Sequence, residues 1–218
     1  MDLLKDFIDF VLHLDKNLVL MVKEYGTLTY VILFFIIFAE TGFVVTPFLP
    51  GDSLLFAAGA VAKSGDLNIV LLIVLIYIAA VLGNTVNYMI GAYLGPAFLE
   101  KEKIPFIKKE HLVKTHAFYE KHGARAVILS RFLPIFRTFV PFVAGIGQMD
   151  WRKFSLYNMI GAAFWVVPLT IAGYLFGQIP YVQKNFSVII IAIIVITALP
   201  AIATALNEYR SAKKAKRA

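Results

Sequence analysis

The chain has 218 residues, 60% hydrophobic and only 16% charged, and its apolar runs are longer than a soluble core helix needs, which excludes a soluble globular domain. The net charge of +7 is carried largely by five cations between Arg210 and Arg217 and seven between Lys101 and Arg125. Both groups flank apolar segments and read as topogenic, lipid-facing loops rather than a nucleic-acid surface. The absence of cysteine excludes disulfides and thiolate metal sites.

The opening MDLLKDF does not read as a signal peptide, because it is acidic and mixed and no A-x-A-like cleavage site follows a short apolar core. Residues 3 to 22 instead place Leu4, Phe7, Ile8, Val11, Leu14, Leu18 and Val22 near a 3.6-residue period, opposite Asp2, Lys5, Asp6, Asp9, Lys16 and Asn17. This predicts an amphipathic helix lying on the membrane surface. Up to Glu24 it carries three cations and five acids, which places it on the outer side.

The next apolar stretch, 27 to 62, is too long for one span and is interrupted by TPFLPGDS, in which Pro47, Pro50 and Gly51 break the helix. A re-entrant hairpin is predicted, with its freed backbone groups buried in protein or lining a wet cavity. Residues 67 to 95 form a long uncharged span, and 101 to 122 a polar helix outside the hydrocarbon. That polar helix holds His111 and His116, followed by His122; their spacings of five and six do not put them on one helix face for a metal. The stretch 123 to 149 repeats the broken pattern, with Pro134 and Pro141 as breakers, and spans at 153 to 177 and 184 to 207 follow. If both broken stretches enter and leave on one face, the basic loop and the basic tail share the cytoplasmic side.

The expected architecture is therefore all-α and integral to the membrane, in three parts: a surface helix at 1–25, a transmembrane domain at 26–180 with hairpins at 27–63 and 123–149, and a last transmembrane helix with a basic cytoplasmic tail at 181–218. An internal repeat supports it. Phe48-Leu-Pro50 recurs as Phe132-Leu-Pro134, Ala58-Gly59 before Asp66 as Ala144-Gly145 before Asp150, and Gly91-Ala-Tyr-Leu-Gly95 as Gly173-Tyr-Leu-Phe-Gly177. One crossing separates the copies, so they would be inverted in the membrane, with a site where the broken elements meet.

Four charges lie in these broken stretches: Glu40 and Asp52 in the first, Arg131 and Arg137 in the second. Each costs about 2.5 to 3.5 kcal/mol at the centre of a membrane helix, and facing hairpins would bring acids to cations. The arginines are candidate phosphate ligands, because the planar guanidinium matches phosphate oxygens and never loses its charge. The carboxylates are candidates for proton coupling, since a ligand that changes their surroundings changes their protonation. The alternative reading of the four charges is a structural ion-pair network, although a buried pair stabilises too little by itself to justify its desolvation. Gly59, Gly83, Gly91, Gly145 and Gly161 suit close helix packing, and Asn84 and Asn87 interhelical hydrogen bonds.

Ser130-Arg131-x5-Arg137 resembles the S-R-x5-H element of membrane lipid-phosphate phosphatases, but Arg137 stands where that family has its nucleophilic histidine, and no PSGH-like element occurs. Such a site would hold a phosphate without cleaving it. A closer resemblance rests on Glu40-Thr-Gly with Pro47-Phe-Leu-Pro50-Gly-Asp52, and on Arg131-Phe-Leu-Pro134-Ile-Phe-Arg137 leading into Ala144-Gly145. Over roughly 25 to 180 the chain resembles the DedA family, also called VTT-domain or SNARE-associated membrane proteins. Val127 departs from the pattern, where an aromatic residue is expected four positions before the first arginine.

The resemblance implies facing re-entrant hairpins and, for bacterial members, proton-dependent transport that includes recycling of the carrier lipid undecaprenyl phosphate across the cytoplasmic membrane. Eukaryotic relatives are phospholipid scramblases. The family's important acids and arginines fall on Glu40, Asp52, Arg131 and Arg137. The leading expectation is a proton-dependent flippase, not an enzyme, without cofactor or metal, whose partners are membrane lipids, a polyprenyl phosphate and protons. The alternatives are a proton-coupled transporter of small cations or drugs, an intramembrane lipid phosphatase, and a scaffold whose charges only hold the fold.

Overall fold

A computed structural model describes residues 14–43, 51–100, 123–189, 191–193 and 195. Within them the chain is all-helical. Helix α1 is Leu14–Tyr25, α2 is Leu28–Gly42, α3 is Gly51–Ala62 and α4 is Ile69–Glu100. After the 3-10 turn Gly123–Arg125 come the single turn α5 (Ala126–Leu129), a second 3-10 turn Ser130–Phe132, then α6 (Pro134–Ile146), α7 (Trp151–Phe176) and α8 (Pro180–Lys184).

Among the described residues two helices are long and apolar enough to cross a membrane: Ile69–Gly95 within α4, 27 residues with mean hydropathy 2.7, and α7, 26 residues with mean hydropathy 1.8. At 1.5 Å per residue each reaches about 40 Å, more than the roughly 30 Å of a hydrocarbon core. Helices α2, α3 and α6 are shorter apolar segments. The two long helices are built inside out. On α4 the exposed stripe is Val70, Val74, Ile78, Leu82, Met89 and Tyr93, while Asn84 and Asn87 are fully buried. On α7, Leu156, Phe164, Ile171 and Leu175 are exposed while Asn158, Trp165 and Thr170 are buried. Apolar side chains outside and amides inside suit a surface that meets lipid.

Each short helix packs along a long one, α3 on α7 and α6 on α4, and α2 also lies on α4. Glycine makes these approaches close. A Cβ on Gly59 would overlap the Thr170 carbonyl oxygen, and one on Gly173 would overlap the Phe56 carbonyl oxygen. At the other contact a Cβ on Gly145 would overlap the Tyr88 carbonyl oxygen, and one on Gly91 that of Phe142. The same offsets occur in both: each glycine of one helix faces the carbonyl three residues before the glycine of its partner. The sequence matches Ala58-Gly59 with Ala144-Gly145 and Gly91 with Gly173 thus occupy corresponding packing positions.

The expected breaks fare differently. Pro47 and Pro50 lie outside the described residues, and Gly51 opens α3. Pro134 is the first residue of α6, behind an extended Leu133 at φ −122°, as a residue preceding proline prefers. Pro141 does not break the chain: α6 runs through it to Ile146. Its ring removes the amide that would bond the Arg137 carbonyl, but residues 137 to 145 are all buried, so packing holds the helical path. Beside the proline, Asn87 of α4 donates to the Thr138 carbonyl at 2.7 Å and to the Thr41 carbonyl at 3.3 Å, tying α6 and α2 to α4.

Asp150 caps α7, its Oδ1 accepting from the Lys153 amide at 3.0 Å. At the start of α4 that role falls to Asn68, whose Oδ1 accepts from the Val70 and Leu71 amides, rather than to Asp66. The described part of the N-terminal amphipathic helix, α1, turns Leu18 and Val22 into the protein core, against α3. Residues 1–13, the polar helix at 101–122 with its histidines, and the basic tail lie outside the described residues.

Candidate functional site

The four charges of the broken stretches are all buried. Glu40, near the end of α2, is 2% exposed; Asp52, in the first turn of α3, 7%; Arg131, in the 3-10 turn before α6, 0%; and Arg137, in α6, 4%. The first two elements bring the acids together at the N-terminal end of α3. A Cβ on Gly51 would collide with the Glu40 carboxylate, so glycine there lets the acid close on the helix start, where the backbone dipole favours negative charge.

Arg137 is shared between the two acids. Its Nη1 donates to Glu40 Oε1 and its Nη2 to Asp52 Oδ1, each at 2.7 Å. Its Nε donates to the Arg131 carbonyl at 3.2 Å. All three nitrogens are therefore engaged, and the guanidinium ties α2, α3 and α6 to the 3-10 turn. Charge-assisted bonds of this kind are short and strong, and in a desolvated centre each partner depends on the others.

Arg131 goes elsewhere. Both of its described hydrogen bonds come from Nη2, to Asn158 Oδ1 at 2.7 Å and to the Ala80 carbonyl at 3.2 Å. Nε and Nη1 are buried without a hydrogen-bond partner. The ion pairs thus unite the acids with one arginine only, and the other docks on α4 and α7.

Two residues of this centre were not among the sequence candidates. Trp165 of α7 donates its indole N–H to Asp52 Oδ1 at 2.7 Å. Its ring centroid lies 4.6 Å from the Arg137 guanidinium carbon and 5.8 Å from that of Arg131, within cation–π range of both. Asn158, two turns earlier on α7, accepts from Arg131 and donates through Nδ2 to the Val81 carbonyl at 3.0 Å. The signal was an asparagine and a tryptophan seven residues apart on one face of an apolar span, with Gly161 between them. In hydrocarbon an amide needs a partner. Of the two asparagines singled out in the sequence, Asn87 makes interhelical bonds, whereas both amide atoms of Asn84 are buried without a partner. Among the described residues no cluster of histidines and acids is placed to hold a metal.

These features define an all-helical membrane protein with a buried ion-pair centre between its short helices. The sequence comparisons agree: the VTT domain model matches residues 49–175, taking in Asp52, Arg131, Arg137, Asn158 and Trp165, and the chain belongs to the DedA family of membrane proteins. It is 51% identical over 217 residues to Protein DedA of Escherichia coli strain K12, covering 99% of each chain. An uncharacterized membrane protein of Mycobacterium leprae is 42% identical over 176 residues, 81% of this chain and 79% of the relative. The inner membrane protein YqjA of Escherichia coli is 33% identical over 155 residues, 71% of this chain and 70% of the relative. No solved structure matches the chain significantly.

Proposed function

We propose that the protein is a proton-dependent lipid translocase of the bacterial cytoplasmic membrane, a carrier rather than an enzyme. In this reading it moves a polyprenyl phosphate, undecaprenyl phosphate by family resemblance, from the outer to the inner leaflet for reuse. The carrying observation is the buried Arg137 held at 2.7 Å by two carboxylates from different helices. Protonating Glu40 or Asp52 removes one of the anions that occupy it. The freed guanidinium edge then has the geometry and charge to take phosphate oxygens together with Arg131, so proton entry and headgroup entry are linked. Loss of the proton on the other side restores the internal pair and expels the headgroup.

The architecture proposed with this function is an inverted repeat of two re-entrant hairpins, three full crossings, and a cytoplasmic C-terminus. The matched glycine contacts of α3 with α7 and of α6 with α4 support the repeat. The shortness of α2, α3 and α6 supports hairpins over spans. The basic residues at 101–125 and 210–217 support the orientation.

The test is leaflet-resolved transport of undecaprenyl phosphate by the purified protein in proteoliposomes, with and without a proton gradient. Gradient-stimulated transport, lost in Arg137→Ala, is the expected result. Transport of small cations that is indifferent to lipid phosphate would replace this reading with that of a cation or drug transporter. Release of inorganic phosphate from the lipid would replace it with that of a phosphatase.

A further inference from the structure

The two buried arginines differ in what neutralises them. Both carboxylates bond to Arg137, and the described partners of Arg131 are neutral: the Asn158 amide oxygen and the Ala80 carbonyl. A guanidinium at 0% exposure with Nε and Nη1 unpartnered is an incomplete arrangement, since buried charge costs heavily unless it is paired. The N–H groups of Nε and Nη1 and a full positive charge remain for an acceptor that the described residues do not supply.

The orientation of the Asn158 amide is fixed by its surroundings. Nδ2 reaches the Val81 carbonyl at 3.0 Å and Thr85 Oγ1 at 3.4 Å. A carbonyl can only accept, so the amide nitrogen faces α4 and the oxygen faces Arg131. Gly161, one turn on, makes room for the arginine stem: a Cβ there would lie 3.2 Å from Arg131 Cδ and 3.4 Å from Nε. Trp165, one further turn on, presents its ring. One face of α7 thus grips Arg131 by amide, gap and indole, and none of the three cancels its charge.

We propose that Asn158 is a positioning and selectivity residue, which orients Arg131 with a neutral oxygen so that this arginine is the standing seat for an anionic phosphate group before Arg137 is freed from its carboxylates. The inference rests on the lipid-phosphate reading above and divides its labour: Arg131 receives the anion, and Arg137 with Glu40 and Asp52 forms the proton-responsive pair beside it. A carboxylate at position 158 would have the same shape and would cancel the charge of the seat from within.

The experiment measures equilibrium binding of undecaprenyl phosphate to the full chain in detergent, with undecaprenol as the uncharged control and inorganic phosphate as competitor. Asn158→Asp is expected to weaken lipid-phosphate binding at least about tenfold, because the added carboxylate cancels the positive charge that attracts the phosphate. It should leave undecaprenol binding unchanged, while the melting temperature falls because a carboxylate oxygen then faces the Val81 carbonyl that Nδ2 had satisfied. A merely structural role for Asn158 predicts the same lower melting temperature but with the phosphate preference intact. Arg131→Gln should lose the phosphate preference as well.

Competition by inorganic phosphate would show that the headgroup chemistry suffices, and its absence that the seat needs the lipid chain. Phosphate preference retained in Asn158→Asp, or in Arg131→Gln should the first variant not fold, overturns the inference. The two readings fail separately. Arg131-dependent binding without transport sinks the translocase, whereas transport with binding indifferent to Asn158→Asp and Arg131→Gln sinks the division of labour.

Discussion

Trp165 and Arg137 meet through one carboxylate: the indole N–H and the guanidinium Nη2 both donate to Asp52 Oδ1 at 2.7 Å, and the guanidinium carbon lies 4.6 Å from the indole centroid. The tryptophan therefore acts twice, as a donor to the acid and as a π face to the cation. The two contributions are separable. Trp165→Phe keeps an aromatic face and loses the donor, which should cost about 1.5 to 3 kcal/mol for a hydrogen bond to a charged group. Trp165→Leu loses both, with a further cost of up to about 2 kcal/mol for a desolvated cation–π contact. Thermal melting in detergent should rank wild type above Phe and Phe above Leu; equal melting of Phe and Leu variants would remove the π contact from the account.

Breaking the network at its hub is predicted to be worse than removing it whole. Arg137→Leu leaves Glu40 and Asp52 buried without their cation, and unpaired buried charge costs about 3 to 5 kcal/mol. Arg137→Leu combined with Glu40→Gln and Asp52→Asn leaves no charge to compensate and should recover much of that loss. Comparing expression and melting temperature of the single and triple variants checks this. A triple variant no more stable than the single one would mean that the ion pairs are not what couples these helices.

Much of this centre was legible in the sequence because hydrocarbon makes charge conspicuous. Glu40, Asp52, Arg131 and Arg137 stand out in uncharged runs, and acids of the first stretch do meet a cation of the second, at Arg137. The long helices were legible for the same reason, predicted at 67–95 and 153–177 and found at Ile69–Glu100 and Trp151–Phe176. Local rules failed where tertiary packing decided. Pro141 has every mark of a breaker, yet it sits within a buried stretch whose helical path the neighbouring helices hold. That Arg131 turns to Asn158 rather than to an acid depends on the register of α7 against the 3-10 turn, which no pattern in either segment encodes. Trp165 was hidden because an aromatic residue in an apolar span is ordinary.

The matched glycines offer a test of the repeat that is independent of transport. Gly59→Ala would drive a methyl group into the Thr170 carbonyl oxygen, and Gly145→Ala into that of Tyr88. Overpacking of this kind costs about 1 to 3 kcal/mol. If α3 on α7 and α6 on α4 are equivalent contacts, the two substitutions should lower the melting temperature by similar amounts, and the double variant by about their sum, since they lie in separate contacts. A large loss at one site with none at the other would show that only one of the contacts is rigid.

Glu40 provides the sharpest separation of binding from coupling. Its Oε1 meets Arg137 at 2.7 Å, and its carboxylate closes on Gly51 at the start of α3. Glu40→Gln keeps the length and an acceptor oxygen for the guanidinium but has no exchangeable proton. The variant should still bind undecaprenyl phosphate, because Arg131 is untouched, while stimulation of transport by a proton gradient falls severalfold or disappears. Proteoliposomes with an imposed pH difference, compared with the same vesicles after the gradient is collapsed, measure this directly. Gly51→Ala reaches the same contact from the other side: its methyl group displaces the Glu40 carboxylate from the helix start and should also blunt the gradient response, here with some loss of stability. Full gradient stimulation in Glu40→Gln would exclude Glu40 as the coupling acid and leave Asp52, already bonded by Arg137 and Trp165, as the group that carries the proton.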